Sequence, residues 1–295
     1  ALYIGLKGGA NGVSHSHLDL GSFVLDANGV RWAIDLGREL YNLEGMHDYS
    51  ENGRRWQFYR IGAQGHNTLL INDANQNVNA RATIIKSFCK ASSAKATMDI
   101  SDAYRLTADR VLRSVTVTDK EQVLMEDQIF GLSYSDTVRW GMLTRADVTV
   151  TGRNAVLQQA GKNLHLNILE PRDARFMVLS SQPPDSLQKQ NVGTSMLAVR
   201  VKAAKSDMKI RILKTFKQSE SWKRKFWETT KLHQVISSEH QLPSLTDAEI
   251  LTVEGKIFVL SKEETWKGFR VDDKLNAHSE KFNSREFMDL AMDYT

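Results

Sequence analysis

Apolar residues in this chain recur mostly at every second position over short runs, and polar turn-formers separate the runs. Ser22-Phe23-Val24-Leu25-Asp26 and Val30-Arg31-Trp32-Ala33-Ile34-Asp35 are joined by Ala27-Asn28-Gly29, where the Asn-Gly pair favours a tight hairpin turn. Arg110 to Thr118 and Gln122 to Phe130 flank Asp119-Lys120-Glu121 in the same way. Further strands are predicted at Asn67 to Asn72, Thr137 to Leu143, Asp147 to Thr151, Ala155 to Gln159, Leu164 to Leu169, Met196 to Ala203 and Met208 to Leu213. The links are too short for crossover helices, so neighbouring strands pair antiparallel. Many short strands without intervening amphipathic helices predict an all-β fold, a large antiparallel β-sandwich over residues 1–217.

Two stretches depart from this pattern. Gly37 to Gly65 is rich in Tyr, Arg and Trp and has no long helical or strand period, and loops of that length in compact domains are usually functional or mobile. After Lys217, Trp222, Phe226 and Trp227 give Glu220 to Gln234 the spacing of a short amphipathic helix. Thr252 to Leu260 reads as a hairpin and Ser284 to Met292 as a terminal helix, making 218–295 a C-terminal extension or small α+β unit.

Composition narrows the class. The 295 residues are 41% hydrophobic and 25% charged, as in an ordinary globular protein. Net charge is +4 and the sequence pI about 9.0, a balance that suits a polyanionic substrate. No apolar run approaches the ~20 residues that span a bilayer, and neither a membrane span nor a nucleic-acid partner is expected. Cys89 is the single cysteine, so there is no internal disulfide framework. Ala1 opens the chain without a basic, then apolar, leader pattern, so any targeting signal is expected to have been removed or to lie outside it.

The candidate chemistry is concentrated in Gly8-Gly9-Ala10-Asn11-Gly12-Val13-Ser14-His15-Ser16-His17-Leu18-Asp19-Leu20-Gly21-Ser22-Phe23, with Asp35 and His66-Asn67-Thr68 further on. His15 and His17 are two residues apart, so on an extended segment they face the same side. Asp35 ends one apolar strand and His66 opens another. If those strand ends meet, His17, Asp35 and His66 form a two-nitrogen, one-oxygen set with an open fourth position, which suits zinc. The alternative is that the histidines are simply polar loop residues. No HExxH or CxxC pattern competes for a metal. His165 reads as a cross-strand residue, His47, His233, His240 and His278 have no partner pattern, and Lys223-Arg224-Lys225 reads as a solvated helix face.

The run Gly8 to Phe23, the segment Arg31-Trp32-Ala33-Ile34-Asp35-Leu36-Gly37, Tyr41, and Tyr59-Arg60 leading to Gly65-His66-Asn67-Thr68-Leu69 together resemble the heparinase II/III-like module of polysaccharide lyases. The resemblance is specific over roughly residues 5 to 75. It implies a zinc ion (Zn2+) held by His17, Asp35 and His66, with His15 on the substrate side. It also implies β-elimination on a uronate-containing polysaccharide such as a heparan-type glycosaminoglycan or alginate, in a periplasmic or secreted setting. For that chemistry His15, Tyr41 and Tyr49 are the catalytic candidates. Asn11, Arg38, Arg55, Arg60 and Asn67 are the candidate substrate contacts, with Arg54 also available in the loop. Family members place an α/α toroid before the sandwich that supplies further acid/base residues. The chain is therefore expected to be the C-terminal part of a longer enzyme, inactive or incomplete as this fragment. Two other classes stay open: a carbohydrate-binding or architectural β module with a structural zinc, and a metallohydrolase that uses the same ligands to activate water.

Overall fold

The computed structural model describes residues 2–90, 93–119 and 121–216, together with the backbone of four strands between 248 and 281. The chain divides into two compact units, Ala1–Gln218 and Ser219–Thr295. In the first unit the strands are β1 (Leu2–Leu6), β2 (Gly9–Ala10), β3 (Phe23–Ala27), β4 (Val30–Ala33), β5 (Leu69–Ile71), β6 (Arg81–Cys89), β7 (Ser93–Asp99) and β8 (Arg110–Thr118). They continue as β9 (Gln122–Phe130), β10 (Thr137–Thr144), β11 (Asp147–Thr151), β12 (Asn154–Gln159), β13 (Lys162–Glu170), β14 (Phe176–Ser180), β15 (Ser195–Lys202) and β16 (Met208–Thr215).

These strands build three antiparallel sheets. The largest runs β11-β12-β13-β16-β9-β8-β7-β6-β2, and the others run β1-β3-β4 and β14-β15-β10-β5. The all-β reading holds, and the strands expected from alternation stand where they were read to within a residue or two. Alternation also explains what the sequence reading did not resolve individually. β6 exposes every residue after Ala82, so it has no buried face to mark it, and β1 has no fully buried residue, with Tyr3 exposed and the rest half-buried.

One continuous core joins the sheets of this sandwich. Leu25 and Trp32 come from the three-stranded sheet, Trp140 and Val199 from the four-stranded one, and Val115, Met125, Leu166 and Ile212 from the nine-stranded one. The Phe23 and Trp140 rings meet across the two smaller sheets with centroids 6.0 Å apart. Three inward positions of the large sheet carry charge instead of hydrocarbon: Arg113, Asp127 and Lys214, all fully buried.

The Gly37 to Gly65 stretch has only two short 3-10 turns, Arg54–Gln57 and Ala63–Gly65. It is nonetheless packed. Met46, Trp56, Phe58, Ile61 and Ala63 form a second core with Leu18, Leu70 and Val78. Burial of Trp56 and Phe58 anchors the loop to the sandwich through apolar contact.

In the second unit β17 (Ala248–Val253), β18 (Lys256–Ser261), β19 (Lys267–Val271) and β20 (Ala277–Lys281) form an antiparallel meander. The hairpin expected at Thr252 to Leu260 is the β17–β18 pair. The two helices expected at Glu220 to Gln234 and Ser284 to Met292, and the run Lys223-Arg224-Lys225, lie outside the described residues.

Candidate functional site

Three chain segments meet at one edge of the sandwich. The β3–β4 hairpin turns through Asn28 and Gly29, both at positive φ, and carries the chain from His17 round to Asp35. The second 3-10 turn delivers His66. Gly65 allows this, because a Cβ there would stand 2.0 Å from the Tyr59 carbonyl oxygen. The Leu18 N–H donates to the Ile61 carbonyl at 2.8 Å, tying the turn that carries His17 to the loop that leads into His66.

His66 Nδ1 and Asp35 Oδ2 are 3.0 Å apart, and the His17 and His66 ring centroids are separated by 5.2 Å. The sequence-predicted trio is thus gathered in one place. His66 is fully buried, whereas 39% of the Asp35 side chain meets solvent. Burial disfavours the charged form of Asp35, but the hydrogen bond and charge of His66 outweigh it and hold the carboxyl at about 2. Burial likewise opposes protonation of His66, and Asp35 reverses that, so its pKa lies above the ordinary value. Burial, reinforced by the His66 charge, pushes His17 down to about 4, which keeps its imidazole neutral near pH 7.

Asp19 completes the local charge set, although no role was assigned to it from sequence. Burial raises its pKa, Lys7 Nζ stands 3.7 Å from Oδ1, and Oδ1 has no hydrogen-bond partner among the described residues. A cavity of about 270 Å³ opens here, lined by Lys7, Asp19, Ser22 and Asp35 among others.

Zinc is implied at this site, and its donor chemistry can be tested against the residues present. His66 Nε2 is buried without a hydrogen-bond partner among the described residues, and a neutral His17 offers a nitrogen lone pair beside it. With an ionised Asp35 these are donor types that zinc accepts. As they stand, no three His, Cys, Asp or Glu side chains among the described residues are arranged around a common ion position. Asp35 instead engages the other nitrogen of His66, the arrangement by which a carboxylate orients a ligating imidazole.

The second cluster has His15 and Tyr41 exposed and Tyr49 half-buried. His15 Nδ1 lies 3.2 Å from the Tyr41 hydroxyl, and the His15 N–H donates to the Tyr49 hydroxyl at 3.3 Å. Tyr41 also stacks on His47 with centroids 6.2 Å apart, a partner that the sequence pattern did not reveal. The three catalytic candidates are therefore neighbours. One expectation is corrected: His15 and His17 do not share a face of an extended segment. His15 sits at φ 63°, so the chain turns there, leaving His15 exposed and His17 half-buried.

The candidate substrate contacts divide sharply. Arg38 is exposed. The others are buried, with internal partners. Asn11 donates to Gln76 Oε1 at 3.2 Å and to the Asn77 carbonyl at 3.0 Å. Arg55 donates to the carbonyls of Met46 and Ser16 at 2.9 and 2.8 Å and lies over the Tyr49 ring, 4.5 Å from its centroid. Arg60 donates to Asn191 Oδ1 and to the Leu36 carbonyl, at 2.8 and 2.6 Å. Asn67 is 1% exposed and spends its amide on the backbone. These residues frame the site rather than offer open donors to a ligand. Arg54 pairs with Glu44 at the surface, at 3.1 Å, and His165 lies in β13 opposite Val156, as a cross-strand residue should.

Comparison with known proteins supplies the family. No curated protein sequence matches the chain. Among solved structures, a heparinase III superposes with a TM-score of 0.58 at 13% identity, covering 95% of this chain and 38% of its own. A heparan sulfate lyase from Pedobacter heparinus gives 0.57 at 13% identity, covering 95% and 39%. Identity this low establishes a shared fold, and the chain spans well under half the length of those lyases. The family description heparinase II/III-like, C-terminal, matches residues 2–213. The chain therefore belongs to the heparinase II/III-like C-terminal domain family.

Proposed function

We propose that this chain is the β-sandwich module of a polysaccharide lyase that cleaves a uronate-containing polysaccharide, a heparan-type glycosaminoglycan or alginate, by β-elimination. The observation that carries the reading is the His15–Tyr41–Tyr49 cluster, with His15 and Tyr41 exposed and Tyr49 half-buried, joined by hydrogen bonds at 3.2 and 3.3 Å to the turn that leads into His17. β-Elimination removes the proton at C5 of the uronate, needs its carboxylate neutralised, and protonates the departing O4. A phenol hydrogen-bonded to an imidazole suits the proton transfers, since each group can take or return a proton. In this reading His15 and Tyr41 exchange protons with the sugar, Tyr49 holds the turn at the His15 amide, and Arg38, an exposed cation of the loop, is assigned to the uronate carboxylate.

His17, Asp35 and His66 would hold the zinc ion, which as a bound cation would hold the three segments in register and add positive charge beside the cleft. The remaining acid/base groups are assigned to the rest of a longer enzyme, an N-terminal α/α toroid, working in the periplasm or outside the cell. Product analysis of that longer enzyme on heparan sulfate, hyaluronan and alginate tests the proposal. The expected products carry a C4=C5 double bond, absorb in the ultraviolet and form without consumption of water. Saturated products would replace the lyase reading with a hydrolase, and binding without turnover would leave a carbohydrate-binding module.

A further inference from the structure

Asn67, a candidate substrate contact by its place in the sequence, has its hydrogen-bonding groups all turned inward. Its side-chain NH2 donates to the carbonyls of Phe23 and Ile34, at 2.7 and 2.8 Å. Its side-chain oxygen accepts from the Leu143 N–H at 2.6 Å. Its own N–H donates to the Ser22 hydroxyl at 3.2 Å, and its carbonyl accepts from Arg113 Nη1 at 2.9 Å. The same Arg113 nitrogen also donates to the Gly21 carbonyl at 2.7 Å, while the rest of the guanidinium is held by Asp127 at 2.6 and 2.8 Å.

The segments reached in this way are those that carry the site. Asn67 follows His66, Ile34 precedes Asp35, and Gly21 and Ser22 close the turn that begins with His15 and His17. Leu143 belongs to the four-stranded sheet and Phe23 to the three-stranded one, so a single amide spans both sheets at their junction. Only a short carboxamide meets these demands. Asp lacks the two donors, Leu lacks every polar group, and Gln adds a methylene to a fully packed position.

We propose that Asn67, backed by the buried Arg113–Asp127 pair, is the positioning residue that sets His66 against Asp35. The inference rests on the reading of His17, Asp35 and His66 as the core of the site. It gives Asn67 no contact with substrate.

The test uses the full chain, free of metal, with 15N-labelled histidine. The proton shared by His66 Nδ1 and Asp35 reports the pairing as a downfield NMR resonance, and titration with zinc alone reports the affinity of the set. Asn67→Asp keeps the shape but turns two donors into acceptors facing carbonyls. The expected result is loss of the downfield proton and a fall in zinc affinity of about tenfold or more, the usual effect of removing a residue that orients a ligand. Leu157→Ala, a cavity in the core part of β12, is the control for general destabilisation and keeps both signals. If Asn67→Asp lowers stability as Leu157→Ala does while keeping the proton resonance, the proposal is overturned. Should Asn67→Asp not fold, Arg113→Lys decides in the same way, because donors on one nitrogen lack the planar fork that grips both Asp127 oxygens while Nη1 reaches the Asn67 and Gly21 carbonyls. If the unaltered chain binds no zinc, the metal reading fails, and the proton resonance still decides the role of Asn67.

Discussion

Lys214 occupies an inward position of β16 and is fully buried. Its ammonium lies 5.1 Å from the Phe23 ring centroid and 5.4 Å from that of Trp140, and it has no hydrogen-bond partner among the described residues. Burial is the main cause of its depressed pKa, Arg113 on β8 adds to it, and Asp127 on β9 opposes it, with a net result of about 7. The two ring faces offset only part of the lost hydration. An unfolded chain would hold this proton up to about 10.5, so between about 7 and 10.5 the unfolded state binds more protons than the folded one. The destabilisation from Lys214 is therefore complete below pH 7 and fades as pH rises through that window. Lys214→Met, similar in volume and uncharged, is expected to stabilise the fold by a few kcal/mol near pH 7. Denaturant titrations of both proteins should show the difference closing toward pH 10, and a gap independent of pH would show that the ammonium is not the cause. Neither this position nor Asn67 was legible in the sequence. A lysine near the end of an alternating strand and an asparagine after a histidine acquire their meaning only when the other sheets close over them.

At the scale of elements, the sequence was most informative where one face is buried and the turn chemistry is explicit. The β3–β4 and β8–β9 hairpins were both legible for this reason, the first from Asn28-Gly29 and the second from two runs of nine residues about a short polar link. β6 was not resolved because its exposure leaves no alternation, and the packing of Gly37 to Gly65 was hidden because its buried aromatics follow no period. Asp35 and His66 could be placed near each other from the apolar runs beside them, β4 and β5, whereas the turn at His15 could not, because nothing in its residue type requires positive φ. The first hairpin also places Asp35, since a slip of one residue in its register would shift Asp35 away from His66. Gly29 sits at φ 76°, where a β-branched side chain is strained. Gly29→Val is expected to cost about 1–2 kcal/mol in denaturant unfolding. An unchanged midpoint would mean that the turn does not need its left-handed residue.

The candidate site lies where the three-stranded and four-stranded sheets come together, so the proposed metal would have a consequence for the whole Ala1–Gln218 unit. His17 and Asp35 flank the β3–β4 hairpin, whereas His66 leads into β5 at the edge of the four-stranded sheet. An ion held by all three binds the folded state and not the separated segments, so it must raise the stability of the fold by mass action. At a free zinc concentration a hundredfold above the dissociation constant, the gain is about 2.7 kcal/mol. For a unit of this size that corresponds to a rise of roughly 5–10 °C in the melting temperature. Thermal unfolding with zinc and then with a chelator is expected to show this rise and its reversal, and His17→Ala is expected to lose the shift while keeping a cooperative transition. Replacing the exposed Tyr41 with Phe leaves all three donors in place and should retain the shift in full. An equal zinc shift in wild type and His17→Ala would take His17 out of the ligand set. No shift in wild type would leave the His66–Asp35 pair as an ion pair that secures the junction of the two sheets by itself.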